Sequence, residues 1–196
     1  MKKLFLTLTI LFIIFSSELY ADSSNSIKRI SEGNQNSIIT IIAYESLTCG
    51  HCANFHNNVY PQLKKEFIDT GLAKIEFRHF PLDMAAFNAS KISQCNNNGK
   101  SDLMHILFSN QKKWAKGETV EEANSYLKKL LKDKKINIDF DKCISDKNIE
   151  DFVLNDRISG LKKFKINATP TIIINNKKFD KPINFKNLKK AIEKLI

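Results

Sequence analysis

The chain of 196 residues opens with Lys2 and Lys3, an apolar run over residues 4–15, and a polar stretch ending in the small residue Ala21. A charged start, an apolar run of about a dozen residues and a small-residue cut site mark a secretory signal peptide, predicted here as residues 1–21. A membrane-crossing helix needs about twenty apolar residues, and no later stretch approaches that, so the mature protein is expected to be soluble. Leu19, a bulky residue three before the expected cut, leaves an uncleaved anchor as the alternative. Residues 22–37 are polar, without helical or strand periodicity, and read as a lead-in segment with little function.

From Ile38 the texture changes. Ile38, Ile39, Ile41, Ile42 and Tyr44 make a nearly continuous apolar, β-branched run, the pattern of a strand buried on both faces. Ser46-Leu47-Thr48 then leads into Cys49-Gly50-His51-Cys52 and a helical pattern with Phe55, Val59, Leu63 and Phe67 at spacings of four. Pro61 lies inside that pattern; it removes one helical hydrogen bond and crowds the preceding turn, which predicts a kink near Asn57 or Asn58. Gly71 is placed to end the helix. Ala73, Ile75 and Phe77 alternate with Lys74, Glu76 and Arg78, a period-two strand that completes a βαβ unit.

Residues from about 83 to 164 read as helical, broken at 96–100 and at Lys116-Gly117. Ser101 is expected to cap the helix carrying Leu103, Ile106 and Leu107, and Thr119 with Glu122 to form a capping box for the helix through Leu130. Asn167-Ala168-Thr169-Pro170 breaks the helical texture. Residues 171–174 read as a buried strand, Asn175-Asn176 as a tight turn and residues 177–179 as its return strand. Phe185, Leu188, Ile192 and Leu195 give a closing helix one apolar face. The order β-α-β, helical insert, β-β-α predicts one α/β unit over residues 38–196, with the helices inserted within it.

The formal net charge of +10 raises nucleic acid or an anionic membrane as partners. Arg29, Arg78 and Arg157 are the only arginines and the lysines are scattered, unlike the clustered Arg and interleaved aromatics of nucleic-acid surfaces. No nucleic-acid partner is expected. All four cysteines follow the signal segment, and an oxidising compartment permits disulfides. Of the three possible pairings, a local pair of Cys49 with Cys52 plus one long-range bond is the simplest.

Two cysteines at i and i+3, where a strand runs into a helix, occupy a first turn whose free N–H groups and dipole favour an anion. That setting lowers the Cys49 thiol below the usual value of about 8.5, with His51 adding a donor or a positive charge beside it. Cys52, one turn on, is expected to be more buried and to act as the resolving thiol. A stabilised thiolate favours the reduced form and makes the disulfide form the better oxidant. As a purely structural bond the short Cys-x-x-Cys loop would constrain little chain. A zinc site of Cys49, Cys52 and His56 would lack a fourth ligand at a usual spacing, so no metal is expected. His79 and His105 read as core-edge or surface residues.

Residues 47–56, Phe80-Pro81-Leu82 and Ala168-Thr169-Pro170-Thr171 together resemble the DsbA-like branch of the thioredoxin superfamily, over residues 38–195. The resemblance implies a thioredoxin-like fold with an inserted helical subdomain at about residues 83–164. It further implies a thiol:disulfide oxidoreductase of the periplasm or cell envelope, with no cofactor beyond its own cysteine pair. Its substrates would be exported proteins with free thiols, its reoxidising partner a DsbB-like membrane protein, and a monomer is expected. The resemblance also implies a cis Pro170 beside the sulfurs, with Thr169 offering its backbone to a docked substrate. Cys95 and Cys143 would form a second disulfide within the insert, worth roughly 4 kcal/mol in the chain-entropy model.

Two departures from that family stand out. Gly50-His51 replaces the usual Pro-His and matches protein disulfide isomerases, which leaves isomerase or reductase work as an alternative. The family's buried acid, six residues before the first Cys, is here Ala43. Glu45, on the same strand face by period two, either takes over the proton-relay role or is an ordinary strand-end carboxylate. A metal-holding or chaperone-like module with structural cysteines is the remaining alternative.

Overall fold

The computed structural model describes residues 27–196; the predicted signal peptide lies outside the described residues. The centre of the fold is β2 (Ile39–Glu45), whose β-branched run is buried at six of seven positions. It pairs in parallel with β3 (Ala73–His79), from Ile39 opposite Ala73 to Glu45 opposite His79. On its other side it runs antiparallel to β4 (Thr171–Ile174), with Ile42 opposite Ile173. β5 (Lys177–Lys178) lies beyond β4, and β1 (Ser31–Glu32) edges β3, giving the order β1-β3-β2-β4-β5. Ile38, expected within the central strand, precedes it and is exposed.

The lead-in segment does more than the sequence reading assigned to it. Ile30 is buried in the main core, its carbonyl accepts from the Phe77 N–H at 2.9 Å, and β1 pairs with Glu76 and Ile75 of β3. A strand of two residues is too short to display a period, so a hydrophobicity pattern cannot reveal it.

Between β2 and β3 the chain is helical from Gly50 to Ile68: α1 (Gly50–Asn54), a π-helical turn (Phe55–Val59), α2 (Tyr60–Leu63) and a second π-helical turn (Lys64–Ile68). The irregularity expected from Pro61 takes the form of the first wide turn. A strict spacing of four overshoots the 3.6-residue α-helical turn, and π turns, which hold more residues, take up the difference. Phe55, Val59, Leu63 and Phe67 therefore all stay buried. Gly71 follows with φ +78°, a conformation suited to glycine, and its N–H bonds the Ile68 carbonyl at 3.1 Å.

Six helices separate β3 from β4: α3 (Met84–Gln94), α4 (Asp102–Ser109), α5 (Gln111–Trp114), α6 (Val120–Asp133), α7 (Phe140–Ser145) and α8 (Lys147–Phe164). The expected cap at Thr119 is present: its hydroxyl accepts from the Glu122 N–H at 3.2 Å, while Glu122 reaches back to the Glu118 N–H at 2.7 Å. The expected cap at Ser101 is not. Its hydroxyl instead donates to Glu32 of β1, because a carboxylate is a stronger acceptor than a helix-terminal contact can offset. The Cys95–Cys143 disulfide ties the end of α3 to α7.

Alternate side chains of β2 serve two cores. Ile39, Ile41 and Ala43 join the larger one with Phe55, Leu63 and the Leu188 and Ile192 of the closing helix α9 (Phe185–Glu193). Ile42 and Tyr44 face a smaller one with Phe80, Ile166 and Ile173. Over that second face runs α8, anchored by its buried Asp156, which accepts from Arg29 at 2.7 Å and from the His79 N–H at 3.1 Å. Gly160 makes the approach of α8 possible: a Cβ there would lie 2.9 Å from the buried Tyr44 ring. Replacing Gly160 by Ala should gain about 1 kcal/mol of helix propensity but force overpacking that costs about 1–3 kcal/mol. A net loss of stability in urea unfolding is expected.

Candidate active site

β2 ends at Glu45, and its chain enters α1 through a clamped loop. The Phe80 N–H bonds the Glu45 carbonyl at 2.7 Å, the Leu82 N–H bonds the Ser46 hydroxyl at 3.3 Å, and the Thr48 hydroxyl donates to Asp83 at 2.6 Å. Gln111 of α5 donates to the Leu47 and Cys49 carbonyls at 2.8 and 3.0 Å. Held this way, Cys49 is the N-cap of α1 in an extended conformation, half-buried, and Cys52 is fully buried one turn on. Both are free thiols.

Their environments drive them apart. Cys49 falls from an ordinary value of 9.0 to about 5: hydrogen bonding from the Cys52 thiol is the largest cause, burial opposes it, and Thr169 and the Cys52 and His51 backbone N–H groups add to the lowering. Cys52 is pushed far up, first by burial, then by the hydrogen bond it gives Cys49 and by the charge of Glu45. At neutral pH the pair therefore carries one thiolate and one thiol.

The Thr169–Pro170 peptide is cis and lies beside this pair. As a thiol, Cys49 donates to the Thr169 carbonyl at 3.3 Å. The Thr169 hydroxyl is buried with no other partner, which leaves it free to donate to the thiolate. His51 is exposed on α1, and its N–H contributes to the sulfur.

Glu45 is buried, 3% exposed, and accepts a 2.7 Å bond at Oε2 from His56 Nε2. His56 Nδ1 pairs with His105 Nδ1 at 2.8 Å, and both of its ring nitrogens are thus turned away from the cysteines, unlike the zinc arrangement weighed above. Among the described residues no three His, Cys, Asp or Glu side chains are gathered to hold a metal ion. His79 is buried against Gln94 and belongs to the core, its pKa lowered by burial. His105 continues to Glu32 at 2.8 Å. Glu32 and Gln111 both carry the site, and sequence reasoning passed over them. Neither has a local signal, since their partners lie 73 and 62 to 64 positions away.

The sign of the pH dependence follows. Unfolded, Cys49 ionises near 9; folded, near 5. Between those values the unfolded chain binds the extra proton, so stability of the reduced protein should rise with pH across that window and be lost as pH falls through about 5. Urea unfolding of the reduced protein against the Cys49→Ser variant should show this rise in the parent alone, and iodoacetamide should modify Cys49 with a midpoint near pH 5 while sparing Cys52.

Residues 25–194 match the family model described as Thioredoxin. The crystal structure of α-DsbA1 from Wolbachia pipientis superposes with a TM-score of 0.76 at 30% identity, covering 85% of this chain and 90% of that one. Disulfide bond formation protein D of Bacillus subtilis is 26% identical over 175 residues, 83% of this chain and 74% of that protein. A Rickettsia bellii protein provisionally named protein-disulfide oxidoreductase is 26% identical over 166 residues, 84% of this chain but only 63% of its own length. Motif, site geometry and these likenesses agree: the chain belongs to the thioredoxin family, in its DsbA-like branch.

Proposed function

We propose that this protein is a thiol:disulfide oxidoreductase of the cell envelope that donates its Cys49–Cys52 disulfide to exported proteins. The observation that carries the reading is the opposed pair: a half-buried Cys49, its pKa lowered to about 5, beside a buried Cys52 held as thiol. Stabilising the reduced form in this way makes the oxidised form a donor.

In the forward step a substrate thiolate attacks Sγ of Cys49. A substrate–Cys49 disulfide forms, the Cys49–Cys52 bond breaks, and Cys52 leaves with the electron pair. The substrate's second thiolate attacks its own sulfur in the mixed disulfide and expels Cys49 as thiolate. The substrate loses two electrons and two thiol protons; the enzyme gains the electrons, one proton ends on Cys52 and the other goes to solvent. The Thr169 carbonyl, next to Cys49, is placed to receive a substrate N–H, and the exposed His51 imidazole to favour the incoming anion. The sulfur pair is the whole redox group in this scheme.

A membrane-bound, DsbB-like oxidant would restore the disulfide. Export rests on the N-terminal pattern, and among the described residues no helix is long and apolar enough to cross a membrane. Work as a single chain is part of the same reading. Gly50-His51 favours a second reading, an isomerase or reductase with a lower potential.

Equilibration of the purified protein in glutathione buffers, with alkylation and mass spectrometry of each cysteine, tests the choice. The oxidase reading expects a potential near the value of about −120 mV typical of DsbA. A value at or below about −180 mV would favour the isomerase or reductase, and a pair that never cycles would rule out exchange altogether.

A further inference from the structure

We propose that His56, His105 and Glu32 extend Glu45 into a proton relay that joins the buried Cys52 thiol to an open groove between α2 and α4. The inference rests on the exchange chemistry proposed for Cys49 and Cys52. That chemistry poses a problem that Glu45 alone does not solve. Cys52 is fully buried, yet it gains a proton each time it leaves the disulfide and must lose it each time it attacks a mixed disulfide. Glu45 is as buried as Cys52, so a proton it accepts still has to reach water.

From Glu45 outward the path is continuous. Glu45 Oε2 to His56 Nε2 is 2.7 Å, His56 Nδ1 to His105 Nδ1 is 2.8 Å, and His105 Nε2 to Glu32 Oε1 is 2.8 Å. At the inner end, Glu45 Oε1 is buried with no partner, and the carboxylate is near enough for its charge to act on Cys52. At the outer end, the His105 side chain is 29% exposed and Lys64, bonded to Glu32 at 3.0 Å, is 41% exposed. His56, Tyr60, Lys64 and His105 line a groove of about 390 Å³ that opens to solvent. Along the way His56 is stacked on Phe108 with ring centroids 4.1 Å apart, and Phe77 and Tyr60 pack against the same two imidazoles, which holds the rings in line.

Counting hydrogens shows what the cluster can hold. A carboxylate only accepts, and the bond between the two Nδ1 atoms takes one hydrogen. With both acids ionised, the four ring nitrogens must carry three protons to make all three bonds, and the imidazole pair then bears one positive charge. Shifting the Nε2 proton of His56 to Glu45, with the middle hydrogen on His56 Nδ1 and the outer one kept on His105 Nε2, gives a neutral Glu45 and two neutral rings with every bond still made. The two arrangements differ only in where one proton sits. That proton is available to Cys52 when it leaves the disulfide, and after it is given up one of the three bonds lacks a hydrogen until the groove resupplies it through His105.

The groups that bear on this cluster are Cys49 and Cys52 at its inner end and Tyr60, Lys64, Ser101 and Asp69 at its outer end. Burial raises the Glu32 carboxyl, but hydrogen bonds from His105, Ser101 and Lys64 outweigh it and hold the acid well below the usual range. Glu32 is therefore an ionised terminus across the working pH and orients His105 with its Nε2 protonated.

The test isolates the step in which Cys52 must shed its proton. Cys49 of the full-length protein is loaded with glutathione as a mixed disulfide, and release of glutathione by Cys52 is followed by stopped flow from pH 4 to 9. Loss of general acid–base assistance typically slows a step by about 10²–10⁴-fold; for His56→Gln and for His105→Ala we expect at least about ten-fold, with an altered pH profile and the Cys49 titration unmoved near 5. Added imidazole, which the groove admits, should restore His105→Ala. If His56→Gln does not fold, His105→Ala decides. Rates within two-fold of the parent, or slowing with an unchanged pH profile and no imidazole rescue, would overturn the relay while leaving exchange intact. A parent whose Cys52 never releases glutathione would overturn the exchange reading and the relay together.

Discussion

Two sulfurs three residues apart must experience opposite surroundings, and the rest of the structure depends on how that is arranged. A helix start provides part of it, since Cys49 caps α1 and receives backbone N–H groups while Cys52 is carried one turn inward. The larger part comes from burial. Cys52 sits among the core side chains under the central strand, so ionising it is costly, and its retained hydrogen becomes a donor to Cys49. Each sulfur thus adds to the other's shift: the Cys52 thiol is the largest cause of the low Cys49 value, and the bond it gives reinforces what burial already does to Cys52.

The fold converts that local device into a usable site by bringing three distant segments to the end of β2. The parallel pairing of β2 with β3 places the turn at Phe80 against Glu45. The antiparallel β4 brings Thr169 and Pro170 alongside Cys49, because the loop before β4 lies at the same sheet end as the loop after β2. The helical insert then closes the site from the other side, with Gln111 bonded to the two carbonyls of the Cys49 loop. The insert is held in place by its own means: a disulfide between α3 and α7, and the buried Asp156 of α8 bonded to Arg29 and to the β3 backbone. A half-open, rigid rim around one sulfur is what a partner protein needs to reach it.

The buried polar groups tell a related story. A carboxylate inside a core is tolerated when its lone pairs are satisfied, and Glu45 has only one oxygen satisfied, by His56. His56 in turn is held between Phe108, Phe77 and Tyr60 and is connected outward through His105. A core that wanted only packing would fill these positions with apolar side chains at less expense, so the row of polar groups points to use in the chemistry of Cys52.

Most of the architecture was legible in the chain because it is written in short-range patterns. The β-branched run of β2, the period of two in β3, the Thr119 cap with Glu122, and the spacing of four from Phe55 to Phe67 each depend on residues within a turn or a strand of one another. Cys49 and Cys52 were legible for the same reason, since one helical turn fixes their relation. Glu32, Gln111 and the pairing of His56 with His105 were not. Their bonds span 49 to 73 residues, and a polar residue's partner at that range is chosen by which elements meet in space. Ser101 shows the same limit from the other side, a good local cap that tertiary contact redirects to Glu32. The sequence by itself thus determined the elements, their order, the reactive pair and which of its sulfurs lies deeper; only the tertiary structure decided how deeply each is buried, what clamps the loop, and which buried groups stand behind Cys52, because burial and long-range hydrogen bonding exist only once the chain has closed on itself.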